Sequence, residues 1–246
     1  MSGENQKKKI TAFKYNLAAA GLLLIMTTVS FFVMKGDSGI VDEVAHIPAG
    51  YSYVKYHDYR LNPEHPPLAK FLAGVPLALL DIKPSNTDSS WHDAAQWENG
   101  WFFIYKTGNN ADQILFWSRI PMILLSILLG VLLYKWAVEA IGQKAGLFVL
   151  FLYCFTPEIL AHGHFVTTDV AAALGFTLAI YTFNKYLNER TRKNLIIAAI
   201  GFGLAQLLKF SAFLLFAVFL VLILVKAMYE MRDKKISYSK DFWSYF

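Results

Sequence analysis

The sequence predicts an all-α fold: a single polytopic transmembrane bundle over residues 1–246, with one long external loop near its N-terminus. Three observations predict it. The chain is 56% hydrophobic and 16% aromatic with a mean hydropathy of +0.39, above the apolar share of a water-soluble domain. Its apolar residues fall into runs near twenty long, the length that crosses a hydrocarbon core. Its lysines and arginines gather at every second connection between runs, as cytoplasmic flanks do.

The first run, residues 17–34, is followed by Lys35-Gly36-Asp37 rather than a small-residue cleavage site, so it reads as a retained span and not a removable signal peptide. Further spans are expected at about 114–137, 145–161 and 168–187. The apolar stretch 195–225 is long for one helix and short for two, and Lys209 with Ser211 marks a reversal inside it. Orientation settles the count. Lys7, Lys8, Lys9 and Lys14, then Lys144, then Lys185, Arg190, Arg192 and Lys193, then Lys226, Arg232, Lys234, Lys235 and Lys240 share one side only if that stretch crosses twice, at about 194–208 and 211–228. Six spans follow, with both termini cytoplasmic, Lys209 outside and the chain a multi-pass protein of the cell membrane.

The formal charge of +5 then belongs to flanks facing anionic lipid and gives no ground for a nucleic-acid partner. The single cysteine, Cys154, excludes an intramolecular disulfide framework and reads as a small packed residue.

The external loop, 36–112, holds most of the polar chemistry. Between residues 35 and 112 there are ten carboxylates against six basic side chains, with Tyr51, Tyr53, Tyr56, Tyr59, Trp91, Trp97 and Trp101 among them. Such composition suits helices lying at the membrane–water boundary. Residues 44–56 read as a helix. Residues 68–80 are apolar but too short to span, so an interfacial or re-entrant helix is expected there. Residues 84–110 read as loops with a short Trp-bearing helix.

Four segments carry candidate chemistry. Asp42-Glu43 stands at a helix start, where carboxylates cap free amides and complement the helix dipole; the same position at a boundary suits Asp42 as a general base. In Asn62-Pro63-Glu64-His65-Pro66-Pro67-Leu68-Ala69-Lys70, the paired prolines force an extended corner and start the next helix. That corner aims His65, a helix N-terminus and Lys70 at one spot, a combination that favours phosphate. His162-Gly163-His164-Phe165-Val166-Thr167-Thr168-Asp169 fills the turn between the third and fourth spans. Its threonines and Asp169 suit capping, and His162, His164 and Asp169 are also the candidate ligands of a divalent metal ion. Lys209 lies between apolar residues on the outer face, and either snorkels or is functional. Arg119, at the outer mouth of the second span, is a further cation of that face.

Taken in order, Asp42-Glu43 after the first span, His65-Pro66-Pro67-Leu68-Ala69-Lys70, Arg119-Ile120-Pro121, Thr156-Pro157-Glu158 with Thr168-Asp169, and Leu208-Lys209-Phe210 resemble one group. They look like the lipid-carrier-dependent glycosyltransferases of the GT-C fold, most like the protein O-mannosyltransferase branch and its bacterial aminoarabinose-transferase relatives. The resemblance implies transfer of a sugar from a polyprenyl-phosphate donor to an acceptor hydroxyl of a protein, lipid or glycan, with inversion, on the outer face of the membrane. It implies Asp42 as catalytic base with Glu43 beside it, Asp169 as a second site residue, and His65, Lys70, Lys209 and Arg119 near the donor's phosphate. Members of that group usually continue for several more spans, so the chain reads as an N-terminal portion or a naturally short member.

Two other classes fit a polytopic chain with intramembrane charge. A transporter subunit would place its charges near the midplane and show inverted repeats, and a lipid-binding membrane protein would have no chemistry at the site. The candidates here lie at one face, without a visible repeat.

Overall fold

The computed structural model describes residues 3–232. Lys234, Lys235 and Lys240, expected on the cytoplasmic side, lie outside the described residues. Within them the chain is helical, with no strand.

Helix α1 runs Gly3–Val33, α2 Val41–Tyr56 and α3 Leu68–Ala78. Two short helices follow, α4 Ser89–His92 and α5 Gln96–Trp101, the latter passing into a π-helical turn, Phe102–Lys106. Then come α6 Ala111–Ala140, α7 Gln143–Cys154, α8 Pro157–His162, α9 Asp169–Asn188 and α10 Arg192–Leu208. A 3₁₀ turn, Phe210–Leu214, leads into α11 Leu215–Arg232.

Local chemistry sets these limits. Asn110 Oδ1 accepts from Gln113 N at 3.1 Å and Thr191 Oγ1 from Asn194 N at 3.2 Å, so α6 and α10 each start on a side-chain cap. Gly142, at φ +119°, takes the left-handed backbone that turns α6 into α7 within two residues. Lys209 is extended, at φ −154° and ψ 140°, which ends α10 at the expected reversal point.

One expected span is not a single helix. The segment 145–161 breaks after Cys154, because Pro157 opens α8 and holds Thr156 extended. At about 1.5 Å per residue, α7 alone is too short to cross a hydrocarbon core. Among the described residues three helices are long and apolar enough to cross a membrane: Lys9–Val33, Ala111–Ala140 and Phe210–Arg232.

The long helices run alternately up and down. Tyr134, late in α6, donates to Asn16 of α1 at 2.9 Å, Tyr181 of α9 donates to Glu139 of α6 at 2.8 Å, and Lys226 of α11 donates to Asn188 of α9 at 2.7 Å. These contacts define one end of the bundle. The start of α2, the turn after α8 and Lys209 meet at the other, hereafter the Arg119 end.

Between the long helices the contacts are small: Ala179, Ala205 and Ala212 with Leu215 pack α9, α10 and α11 together. Close backbone approach of this kind is how helices associate where lipid removes the hydrophobic drive. Outward faces carry Leu24, Phe32, Ile196, Ile200, Phe216 and Leu220 in exposed positions, suited to lipid tails. The loop helices form a lobe over the Arg119 end. There α2 crosses α3 backbone to backbone at Gly50 and Gly74: a Cβ on either would collide with the main chain of the other helix. Ile47, Tyr51, Ala73, Leu77 and Phe103 of that lobe share one core with Ile114, Met122, Val166 and Leu208 of the bundle. The lobe is therefore packed onto the long helices and fixes what it carries relative to them.

Candidate active site

Arg119 is the hub of its end of the bundle. It lies on α6 with no solvent exposure. Its Nε donates to Glu43 Oε1 at 2.9 Å and its Nη2 to Glu43 Oε2 at 2.7 Å. The remaining hydrogens go to the carbonyls of Met34, Asp37 and Ser38 at 2.9 to 3.0 Å. A guanidinium has five N–H groups, so none is left for a lipid phosphate. Phe165 lies under the guanidinium, 4.9 Å from ring centroid to Cζ.

Glu43 is spent in the same way. Besides Arg119, its carboxylate accepts from Ile40 N at 3.2 Å, closing the first turn of α2, and from Val166 N at 3.1 Å. Four donors fill the four acceptor positions of a carboxylate, and the side chain is fully buried. Of the two adjacent acids expected at the site, Asp42 is exposed to solvent, while Glu43 holds together α2, α6 and the turn after α8 and, through Arg119, the end of α1.

Lys70 has a comparable fate. It is 1% exposed, and its ammonium donates to Asn62 O at 2.5 Å, Asn62 Oδ1 at 2.8 Å and His65 O at 2.8 Å. Three N–H groups meet three acceptors, over the ring of Tyr53. Burial pulls Lys70 down to about 8, with the charge of Glu64 opposing. Lys70 thus folds the proline corner rather than facing a phosphate.

The corner delivers His65 instead. Its ring stands edge-on to that of His46, centroids 5.6 Å apart. His46 is 5% exposed and its Nδ1 lies 2.9 Å from Val166 O. It sits one turn after Asp42 on the same face of α2, since residues four apart on a helix are neighbours. Burial lowers its basicity, the Val166 bond opposing in part. His46 escaped the sequence argument, although Asp42-x-x-x-His46 on an expected helix was the signal.

The turn after α8 supplies the other wall. His164 is fully buried and its Nε2 donates to Asp37 Oδ2 at 2.9 Å. Burial also lowers its basicity, and Asp37 opposes. Asp169, at the start of α9, pairs with Lys209 at 2.6 Å. This pair is open to solvent: the Asp169 side chain is 69% exposed.

The three candidate metal ligands do not converge. His162 is exposed beside Glu158 at 3.7 Å, His164 is turned inward to Asp37, and Asp169 holds Lys209. Among the described residues no group of three or more His, Cys, Asp or Glu side chains is placed to share an ion. The residues present therefore do not fit a metal, because the i, i+2 histidines point to opposite sides of the turn.

A cleft of about 550 Å³ lies between the end of α1 and the start of α6, lined by Lys35, Asp37, Asp112, Gln113, Trp117 and Arg119 among others. It adjoins the Glu43–Arg119 pair. The Arg119 end thus joins a free carboxylate, two imidazoles in contact, a solvent-open Asp169–Lys209 pair and a cleft of ligand size.

A family model described as dolichyl-phosphate-mannose-protein mannosyltransferase matches residues 101–239, more than half of the chain. The matched stretch contains Arg119, the turn after α8, Asp169 and Lys209; α2 and α3 precede it. No curated protein and no solved structure matches the chain.

Proposed function

Since the chain belongs to the dolichyl-phosphate-mannose-protein mannosyltransferase family, we propose that it moves a sugar from a polyprenyl-phosphate to an acceptor hydroxyl at the outer face of the membrane, inverting the anomeric carbon, with Asp42 as general base. Membership makes it a membrane glycosyltransferase with a lipid-phosphate sugar donor. The finer assignments rest on one observation: the buried Glu43–Arg119 pair draws α2, α6 and the turn before α9 to a single end.

In the mechanism, Asp42 takes the proton of the acceptor hydroxyl as its oxygen bonds to the anomeric carbon. The bond from that carbon to the phosphate oxygen breaks, and its electron pair leaves with the phosphate. A single displacement of this kind inverts the centre. The phosphate is a good leaving group and needs charge neutralisation more than protonation. Lys209 fits that role, because its partner Asp169 is exposed and the pair can open at little cost. His65, against His46 one turn after Asp42, is assigned to the same phosphate as a second polar group. Glu43, Arg119 and Lys70 act as positioning residues, their hydrogen-bonding capacity being taken up inside the protein.

The test is Asp42→Asn in the full-length protein, assayed with a labelled polyprenyl-phosphate sugar. Transfer is expected to fall by roughly 10²–10⁴-fold, the usual worth of a general base, with folding retained. Unchanged turnover would remove Asp42 from the role.

A further inference from the structure

We infer that Nε2 of His46 is a binding subsite for a sugar hydroxyl, an acceptor-only position beside Asp42 that recognises O–H donors and rejects phosphate oxygens. This rests on the transferase reading above and adds to it the recognition of one substrate group.

Three observations carry it. First, Nδ1 of His46 lies 2.9 Å from the carbonyl oxygen of Val166. A carbonyl only accepts, so Nδ1 bears the hydrogen and the neutral ring has its lone pair on Nε2. Second, that lone pair is not used inside the protein. Only two buried side-chain N or O atoms lack a partner among the described residues, His65 Nδ1 and His164 Nδ1. His46 Nε2 enters no hydrogen bond with another described residue and is not one of those fully enclosed atoms, so it keeps some contact with the surroundings of a ring that is 5% exposed. Third, its surroundings select a ligand. Asp42 precedes it by one turn, and the edge-on ring of His65 forms the facing wall.

The chemistry of the ligand follows. An unprotonated nitrogen next to a carboxylate repels an anionic oxygen and welcomes a hydroxyl hydrogen. The nearest cation, Lys70, has all three N–H groups engaged elsewhere and offers a phosphate nothing. The Val166 bond also keeps the ring from flipping to present N–H, because flipping would leave a buried carbonyl without its donor. Val166 is itself held through its N–H by Glu43, so the same buried pair that builds the end of the bundle sets the tautomer of His46.

The hydroxyl could be one of the transferred sugar or one of a carbohydrate acceptor, and the experiment separates the two. The full-length protein and its His46→Asn variant are assayed with a series of monodeoxy polyprenyl-phosphate hexoses, then with the parent donor and monodeoxy acceptors. Asparagine retains an N–H at the Nδ1 position for Val166 and lacks the Nε2 acceptor. In the wild type, removal of one particular hydroxyl should lower kcat/KM roughly tenfold, the worth of one hydrogen bond. In His46→Asn, the same deoxy analogue should be no worse than its parent. Coupling in the donor series places the transferred sugar at His46, and coupling in the acceptor series places the acceptor there. Equal penalties in both proteins at every position overturn the inference, and a purely structural role of His46 gives that result. His46→Leu, which removes both ring nitrogens, serves as the second variant if His46→Asn elutes as aggregate; a deoxy penalty unchanged in it likewise overturns the inference. Failure of the wild type to transfer from any polyprenyl-phosphate sugar sinks the transferase reading instead, and a transferring wild type whose Asp42→Asn variant is dead isolates the fault to His46.

Discussion

Glu43 and Arg119 meet across 76 positions of sequence through hydrogen bonds of 2.9 and 2.7 Å, with no solvent reaching either side chain. Breaking such a pair from one side leaves a charge buried without compensation, which costs about 3–5 kcal/mol. Arg119→Ala is therefore expected to lower thermal stability in detergent strongly and to abolish activity with it. Arg119→Lys should recover little, because three donors on a flexible stem cannot replace a five-donor fork. Asp42→Asn, one residue from Glu43 but exposed, should leave the melting temperature unchanged. If Arg119→Ala and Asp42→Asn unfold at the same temperature, the buried pair is not the hub of this end.

That contrast marks where the sequence stops being informative. Asp42 and Glu43 are adjacent acids with the same capping chemistry, and nothing local tells them apart. The 100° rotation between successive helix positions turns Glu43 toward an arginine far along the chain and leaves Asp42 in solvent. Lys70 is hidden for a related reason: two of its three acceptors are main-chain carbonyls, of Asn62 and His65, in a corner whose closure no residue spells out. The reversal at Lys209 was legible, since a lysine amid Leu207, Leu208 and Phe210 is costly in a continuous helix. So was the helix after Pro66-Pro67, which a short apolar run and two prolines predict at 68–80 and which forms as Leu68–Ala78. The break at Thr156-Pro157 was visible in composition, and hydropathy averaged over it.

The pair Asp169–Lys209 should behave oppositely to Glu43–Arg119. With the carboxylate largely in solvent, its contribution to stability is about 0–1 kcal/mol. Lys209→Ala is expected to melt close to the wild type while binding a polyprenyl phosphate more weakly, measured by lipid competition. A variant that loses stability but keeps lipid affinity would contradict a phosphate-facing Lys209.

The crossing of α2 over α3 leaves no room for a methyl group, since a Cβ on Gly50 meets the carbonyl of Lys70 and one on Gly74 meets the carbonyl of Gly50. Backbone cannot move aside as a side chain does. Gly50→Ala should therefore cost at least the 1–3 kcal/mol typical of overpacking, and should separate α2, which carries His46, from α3 and the corner before it that holds His65. Activity should fall further than stability, read as kcat/KM at a temperature where the variant remains folded. Full activity in a stable Gly50→Ala would mean that the histidine contact is unnecessary.

Lys70 gives the lobe a pH signature. Its folded value, about 8, lies below the roughly 10.4 of an unfolded lysine. Between those values the unfolded chain binds more protons than the folded one, so folding gains stability as pH rises. Below about pH 8 both states are protonated and the cost of burying the charge is present in full; above about 10.4 both are neutral and it is gone. Other groups also titrate in this window, so the difference between the wild type and Lys70→Met isolates the effect. Methionine fills similar space without a charge, and its loss of the bonds to Asn62 and His65 shifts stability by an amount independent of pH. The melting temperature of the wild type minus that of Lys70→Met should thus be flat from pH 6 to about 8 and climb from about 8 to 10. A signed difference that stays level, or falls, across the upper window would show that Lys70 is not held in a desolvated site.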